Sequence, residues 1–192
     1  MHNLIIRGAQ VFDGLGNAPR DADVAIDNGR VTCIGSVSAA ARETVDASGL
    51  ALMPGIVDLH THYDAQVTWD RTMSPSPALG VTTAVTGNCG FGIAPCPAPL
   101  RETMMKNLSV VEGMDLNALL TGVKWEFESF PEYMAQLRRA GPYITTAVFA
   151  GHSVIRTAVM GEAASDQAEP TAAELAEMRC LVREAIDRKS VV

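Results

Sequence analysis

No run of lysine and arginine occurs anywhere in this chain. Its 15 basic residues are outnumbered by 22 acidic ones, for a formal net charge of −7 and a sequence pI near 5.0. Such a balance argues against a nucleic-acid partner and against an anionic membrane surface. No apolar stretch approaches the ~18 residues that a spanning helix needs. Residues 1–20 lack a basic segment followed by an apolar core, so no signal peptide is read, and the expected compartment is the cytoplasm. Cysteine is sparse as well. Cys33, Cys89, Cys96 and Cys180 include no CxxC pair, and four in a chain of this length do not make a disulfide framework. The histidines are only His2, His60, His62 and His152. What remains is 47% apolar and 19% charged, the balance of an ordinary globular protein, with room for one large or two small domains.

Residues 3–53 read as short strands and tight turns. One strand begins at Leu4-Ile5-Ile6 and runs to Phe12, closed by Asp13-Gly14. Val24-Ala25-Ile26 and Val31-Thr32-Cys33-Ile34 flank Asn28-Gly29, the dipeptide of a two-residue hairpin. The pattern changes at Met53-Pro54-Gly55, so a small β domain over residues 1–53 and a second domain over 54–192 are expected. Three strands are read in the second: Ile56 to His62, Val81 to Thr86, and Tyr143 to Ala150. Ser129 and Glu132 have capping-box spacing before a helix that Gly141-Pro142 closes. Thr171 and Glu174 repeat it before Leu175, Met178, Leu181, Val182 and Ile186, which fall at helical spacing. Strands alternating with helices predict a parallel α/β sheet. Residues 93–128, with Pro95, Pro97 and Pro99, are longer than an ordinary connection, and insertions of this kind often cover a site.

In a strand, alternate residues share a face, so Asp58, His60 and His62 point one way. Two such imidazoles lie ~6–7 Å apart by strand rise and can converge on one ion. HxH alone is a weak motif, equally readable as strand-end histidines bonded to backbone or water. The second strand, however, runs directly into Gly87-Asn88-Cys89-Gly90-Phe91-Gly92, and the third into Gly151-His152-Ser153. Each has a bland reading too, a core cysteine and a capping histidine. Yet three successive strands then end in potential ligands, where parallel α/β folds collect ligands and catalysis. Imidazole and thiolate suit zinc. Zinc lowers the pKa of its bound water to ~7, giving hydroxide that attacks an amide or ester carbonyl.

The stretches PGIVDLHTHYDAQVTWD, SPSPALGVTTAVTGNCGFGIAP and GHSVIRTAVMGE resemble the N-acyl-D-amino-acid deacylases (D-aminoacylases) of the amidohydrolase superfamily. The likeness runs in order from about residue 3 to about residue 187. GVTT…GNCGFG is more specific than HxH, which the superfamily shares. The resemblance implies a partial (β/α)8 TIM-type barrel preceded by a small β-sandwich segment. It implies metal-dependent hydrolysis of small-molecule N-acyl-D-amino acids to a D-amino acid and a carboxylate, with one or two zinc ions in the complete enzyme. His60, His62 and Cys89 match its first metal-binding positions, and His152 matches a GH motif, where it would bind substrate or shape the loop. A cyclic amidase of the hydantoinase type would instead place a lysine at a strand end, which Lys106, Lys124 and Lys189 do not.

The family also draws two further histidines from its fifth and sixth strands and a catalytic aspartate from its eighth. No later histidine exists here to match, no residue matches the general-base aspartate, and the length after Met53 falls short of the ~250 residues of a barrel. The chain is therefore expected to be the amino-terminal portion of a longer enzyme, inactive by itself, with open strand edges that invite aggregation. A non-catalytic product is the alternative. Sequencing the DNA beyond the Arg188 codon is expected to find a reading frame with further barrel strands, histidines and an aspartate. Its absence would overturn the expectation.

Overall fold

The computed structural model describes residues 1–166 and 169–187. Arg188 to Val192, where the sequence loses its helical pattern and where Lys189 falls, lie outside the described residues. The chain divides into two compact units, residues 1–55 and 56–192. Among the described residues no helix is long and apolar enough to cross a membrane.

The first unit is a five-stranded sheet of β1 (His2–Val11), β2 (Arg20–Asp27), β3 (Arg30–Gly35), β4 (Ala41–Asp46) and β5 (Ala51–Leu52). The order is β3-β2-β1-β4, with β5 also on β1. β1–β2 and β2–β3 are antiparallel, whereas β4 and β5 run parallel to β1. The β2–β3 hairpin turns on Asn28 and Gly29, both at positive φ (51° and 73°), the conformation that favours Asn-Gly in two-residue hairpins. Alternation on β2 and a register shift in β1 between Ile6 and Ala9 put Ile5 and Ala25 in one small core and Ala9, Val11 and Val24 in another. His2 is engaged here: its Nδ1 lies 2.7 Å from Asp27 Oδ2.

The second unit is built on three parallel strands, β6 (Ile56–Thr61), β7 (Val81–Thr86) and β8 (Thr145–Val148), in the order β6-β7-β8. Parallel neighbours need long return paths, and helices supply them. A single turn, α1 (Tyr63–Gln66), follows β6. The path from β7 to β8 carries α2 (Arg101–Glu112), α3 (Leu116–Gly122) and α4 (Phe130–Ala140). After β8 come α5 (His152–Met160) and α6 (Ala172–Asp187). The long 93–128 stretch is thus helical over much of its length, because Met104, Met105 and Leu108 give α2 a face to bury.

α4 shows how the core is held. Phe130, Tyr133, Met134 and Leu137 recur at helical spacing and are all but fully buried. The Ser129 hydroxyl accepts from the Glu132 N–H, the Glu132 carboxylate accepts from the Ser129 N–H, and Gly141 ends the helix at φ 61°. α6 has the same capping pair in Thr171 and Glu174. Its apolar stripe is less covered than the spacing predicts: Met178 is buried, while Leu175, Val182 and Ile186 are exposed. β6 likewise leaves Val57 and Leu59 exposed along the sheet edge. Removing the α4 cap, Ser129→Ala, is expected to cost ~1 kcal/mol, read as a lower urea midpoint with an unchanged slope; an unchanged midpoint would mean that the cap contributes nothing.

Candidate metal centre

The carboxyl ends of the three strands place the candidate ligands. At the end of β6 the Thr61 hydroxyl donates to the Val85 carbonyl at 3.0 Å, tying it to β7. The strand stops there. His62 does not continue the alternation; it is the residue before α1, at φ −118° and ψ 39°. The turn brings the two imidazoles together, with ring centroids 5.3 Å apart. Asp58, read from the sequence as sharing their face, accepts the backbone N–H of His60 at 3.2 Å.

Cys89 is positioned by glycine. Gly87 has φ 77°, and a Cβ there would fall 2.7 Å from the Phe149 carbonyl oxygen. Gly90 has φ 91°, and its carbonyl accepts from the N–H groups of Ser153 and Val154 at 3.0 and 3.3 Å. A Cβ on Gly151 would lie 2.3 Å from that same oxygen. The turn after β7 is thereby pressed onto the first turn of α5, a closeness that side chains would block. One ligand atom each from His60, His62 and Cys89 then falls within 4.8 Å of the others. Tetrahedral zinc holds its nitrogen and sulfur donors about 3.3–3.8 Å apart, so the three need draw in by only about 1 Å. His152 is not in this group. It opens α5 with its side chain exposed, beside Ala150, Ile155 and Met178.

Two carboxylates complete the surroundings, and neither was singled out from the sequence. Glu112, the last residue of α2, puts one oxygen 3.0 Å from His62 Nε2 and the other 3.7 Å from Cys89 Sγ. Asp64 is buried, with Oδ2 lacking a hydrogen-bond partner. Burial pushes its carboxyl up to about 7, helped by the charge of Glu112 and opposed by its own backbone N–H and by Thr86. Asp64 had a signal, standing two residues after His62 in HTHYD. Glu112 had none in motif or spacing.

The electrostatics suit a cation. Burial lowers the pKa of His62, and the His60 ring adds to this while Glu112 opposes it, which favours the neutral imidazole that metals require. Burial raises the Cys89 thiol; the Phe91 N–H pulls it back, and Glu112 and Asp64 push it further up. Two carboxyls and a thiol thus crowd the two imidazoles, the situation that a dication reverses by deprotonating the thiol and offsetting the acids. The donor set fits zinc.

Residues 43–188 match the amidohydrolase family, and the chain belongs to that family. Particular relatives narrow the likeness. The chain is 37% identical over 190 residues to the D-aminoacylase of Alcaligenes xylosoxydans xylosoxydans, covering 96% of this chain and 35% of that protein. A structure of D-aminoacylase described by its binuclear metal centre superposes with a TM-score of 0.80 at 34% identity, covering 98% of this chain and 37% of that one. The N-acyl-D-glutamate deacylase of Bordetella bronchiseptica, complexed with zinc and a phosphonate inhibitor, gives 0.79 at 33% identity, covering 97% and 36%. The chain spans about a third of the length of these relatives.

Zinc titration of the purified chain is expected to find at least one tightly held ion. His60→Ala, His62→Ala and Cys89→Ala should each weaken it by at least ~100-fold, and zinc should protect Cys89 from alkylation. Cys89 modified at one rate with and without zinc would contradict the site.

Proposed function

We propose that the chain carries the first strands and first metal ligands of a hydrolase that cleaves the amide C–N bond of N-acyl-D-amino acids. The observation that carries the reading is the convergence of His60, His62 and Cys89 at the carboxyl ends of two adjacent parallel strands, in a chain whose relatives include a D-aminoacylase and an N-acyl-D-glutamate deacylase. In this reading β6, β7 and β8 are the opening strands of a (β/α)8 barrel over residues 54–192. The five-stranded sheet, over residues 1–53, is part of a small β-sandwich.

Zinc bound by these donors, as one or two ions, would supply hydroxide near neutral pH and polarise the acyl carbonyl. The chain's own part is to hold that chemistry in place. His60 and His62 offer neutral imidazole nitrogens, Cys89 offers a thiolate once its proton is displaced, and the glycine turn fixes its position. Oxygen from water becomes part of the released carboxylate, and nitrogen leaves as the amine of the D-amino acid. His152, exposed beyond β8, is assigned to contact with the substrate. The acidic net charge supports a small-molecule substrate over a nucleic-acid or membrane partner, in the cytoplasm. The hydantoinase-type alternative gains nothing from the lysines: Lys106 on α2 pairs with Glu102 at 2.7 Å, and Lys124 follows α3.

Grafting provides the test. This chain is put in place of the matching third of the Alcaligenes D-aminoacylase, and release of free D-methionine from N-acetyl-D-methionine is followed. The chimera is expected to hydrolyse it, and Cys89→Ala in the chimera to reduce the rate at least ~100-fold. A folded, zinc-loaded chimera without deacylase activity would refute the proposal.

A further inference from the structure

His60, His62 and Cys89 offer three donors, whereas zinc is held by four in most sites. The chain brings no further histidine to them: His2 pairs with Asp27 in the first sheet, and His152 is exposed at the start of α5. Glu112 is the side chain best placed to supply a fourth donor. It closes α2 immediately before Gly113, which turns the chain at φ 65°. A carboxylate in the last turn of a helix opposes the helix dipole, and no basic residue accompanies it there. Its side chain is nonetheless largely covered, with 17% of its surface exposed. Helix electrostatics therefore do not account for an acid at this position; its contacts do.

Those contacts are with donors from two different strand ends. One oxygen lies 3.0 Å from His62 Nε2, and the other 3.7 Å from Cys89 Sγ. One carboxylate meets both, so Nε2 is the His62 nitrogen on the Cys89 side, and Glu112 stands on that same side of the ring. A carboxylate that only braces a metal-bound histidine sits behind it, on the far nitrogen. The spacings are close to those of neighbouring ligands. A tetrahedral zinc ion separates its nitrogen, oxygen and sulfur donors by about 3.3–3.6 Å. Glu112 is not gathered with all three donors within 4.8 Å, as they are with one another. Its carboxylate must therefore turn toward His60, which a long side chain at a helix end can do.

We propose that Glu112 is itself a ligand of the ion, the oxygen donor that completes a set of two histidines, one cysteine and one glutamate for zinc within this chain. The inference rests on the metal-centre reading and extends it. A helix from the 93–128 excursion enters a site otherwise made from strand ends. Carboxylate oxygen is an ordinary zinc donor beside imidazole and thiolate, and zinc can still take a fifth donor.

The test uses the full chain loaded with zinc. Its crystal structure is expected to show a Glu112 oxygen at about 2.0–2.2 Å from the ion. Both oxygens lying beyond about 3 Å would overturn the assignment, since that is outside any zinc–oxygen bond. In solution, chelator competition reads the zinc affinity of Glu112→Ala and Glu112→Gln, and circular dichroism checks folding. Glu102→Gln is the control, since Glu102 is on the same helix but exposed and paired with Lys106. Glu112→Gln keeps the length and a hydrogen-bond acceptor but loses the anionic donor, so it separates a ligand from a brace and decides the matter if the alanine variant does not fold. It should lose more than about tenfold in affinity, and Glu112→Ala at least ~100-fold, while the control matches the unsubstituted chain. Cobalt put in place of zinc should keep its charge-transfer band from Cys89 in both variants, which shows that the rest of the site survives. Glu112→Gln binding zinc within about tenfold of the unsubstituted chain would overturn the assignment. Failure of the unsubstituted chain to bind zinc would instead sink the metal-centre reading.

Discussion

The parallel ladder joining β6, β7 and β8 is the constraint on which the site depends. Thr61 pairs with Thr86, and Thr86 with Val148, so the three strands stop at nearly one level. Two further bonds extend the alignment past the ladder, from the Thr61 hydroxyl to Val85 and from the Phe149 N–H to the Thr86 carbonyl. Everything that follows a strand end is therefore delivered to the same edge. His60 and His62, the Cys89 turn and the start of α5 meet there because parallel strands share a direction. An antiparallel β7 would have carried Cys89 to the opposite end of the sheet.

Alignment alone would leave the donors too loosely placed to share an ion. The glycines of the Gly87–Gly92 turn supply the close approach. Gly90 gives its carbonyl to the first N–H groups of α5, and Gly151 passes so near it that no side chain fits. The Cys89 turn is thus fastened to β8 and α5 as well as to β7. Charge then works in the same direction as geometry. Burial, with Glu112 and Asp64, raises the Cys89 thiol, and burial lowers the pKa of His62, so metal-free surroundings are unfavourable to the thiolate. A dication relieves that, which couples metal binding to the form of the site that works.

Much of this was legible in the sequence where local chemistry decides the outcome. β7 spans the same Val81–Thr86 that its β-branched residues mark, Asn28-Gly29 makes the hairpin, and the Ser129–Glu132 and Thr171–Glu174 pairs cap α4 and α6. The nearness of His60, His62 and Cys89 could be read because each sits at or just past a recognisable strand end. What was not legible depended on long-range packing or on departures from ideal periodicity. His62 leaves the strand, so a turn and not the pleat brings the two rings together. Glu112 reaches the site only because α2 buries its methionines, and no residue spacing announces that. The exposed side of α6 is equally a matter of which surfaces meet, which helical periodicity does not specify.

The central claim, that His60, His62 and Cys89 hold one metal ion, is tested most directly by X-ray absorption at the zinc edge of the loaded chain. One sulfur at about 2.3 Å with nitrogen ligands at about 2.0–2.1 Å is the predicted shell, and the sulfur should vanish in Cys89→Ala. A shell of oxygen and nitrogen alone in the unsubstituted chain would contradict the account.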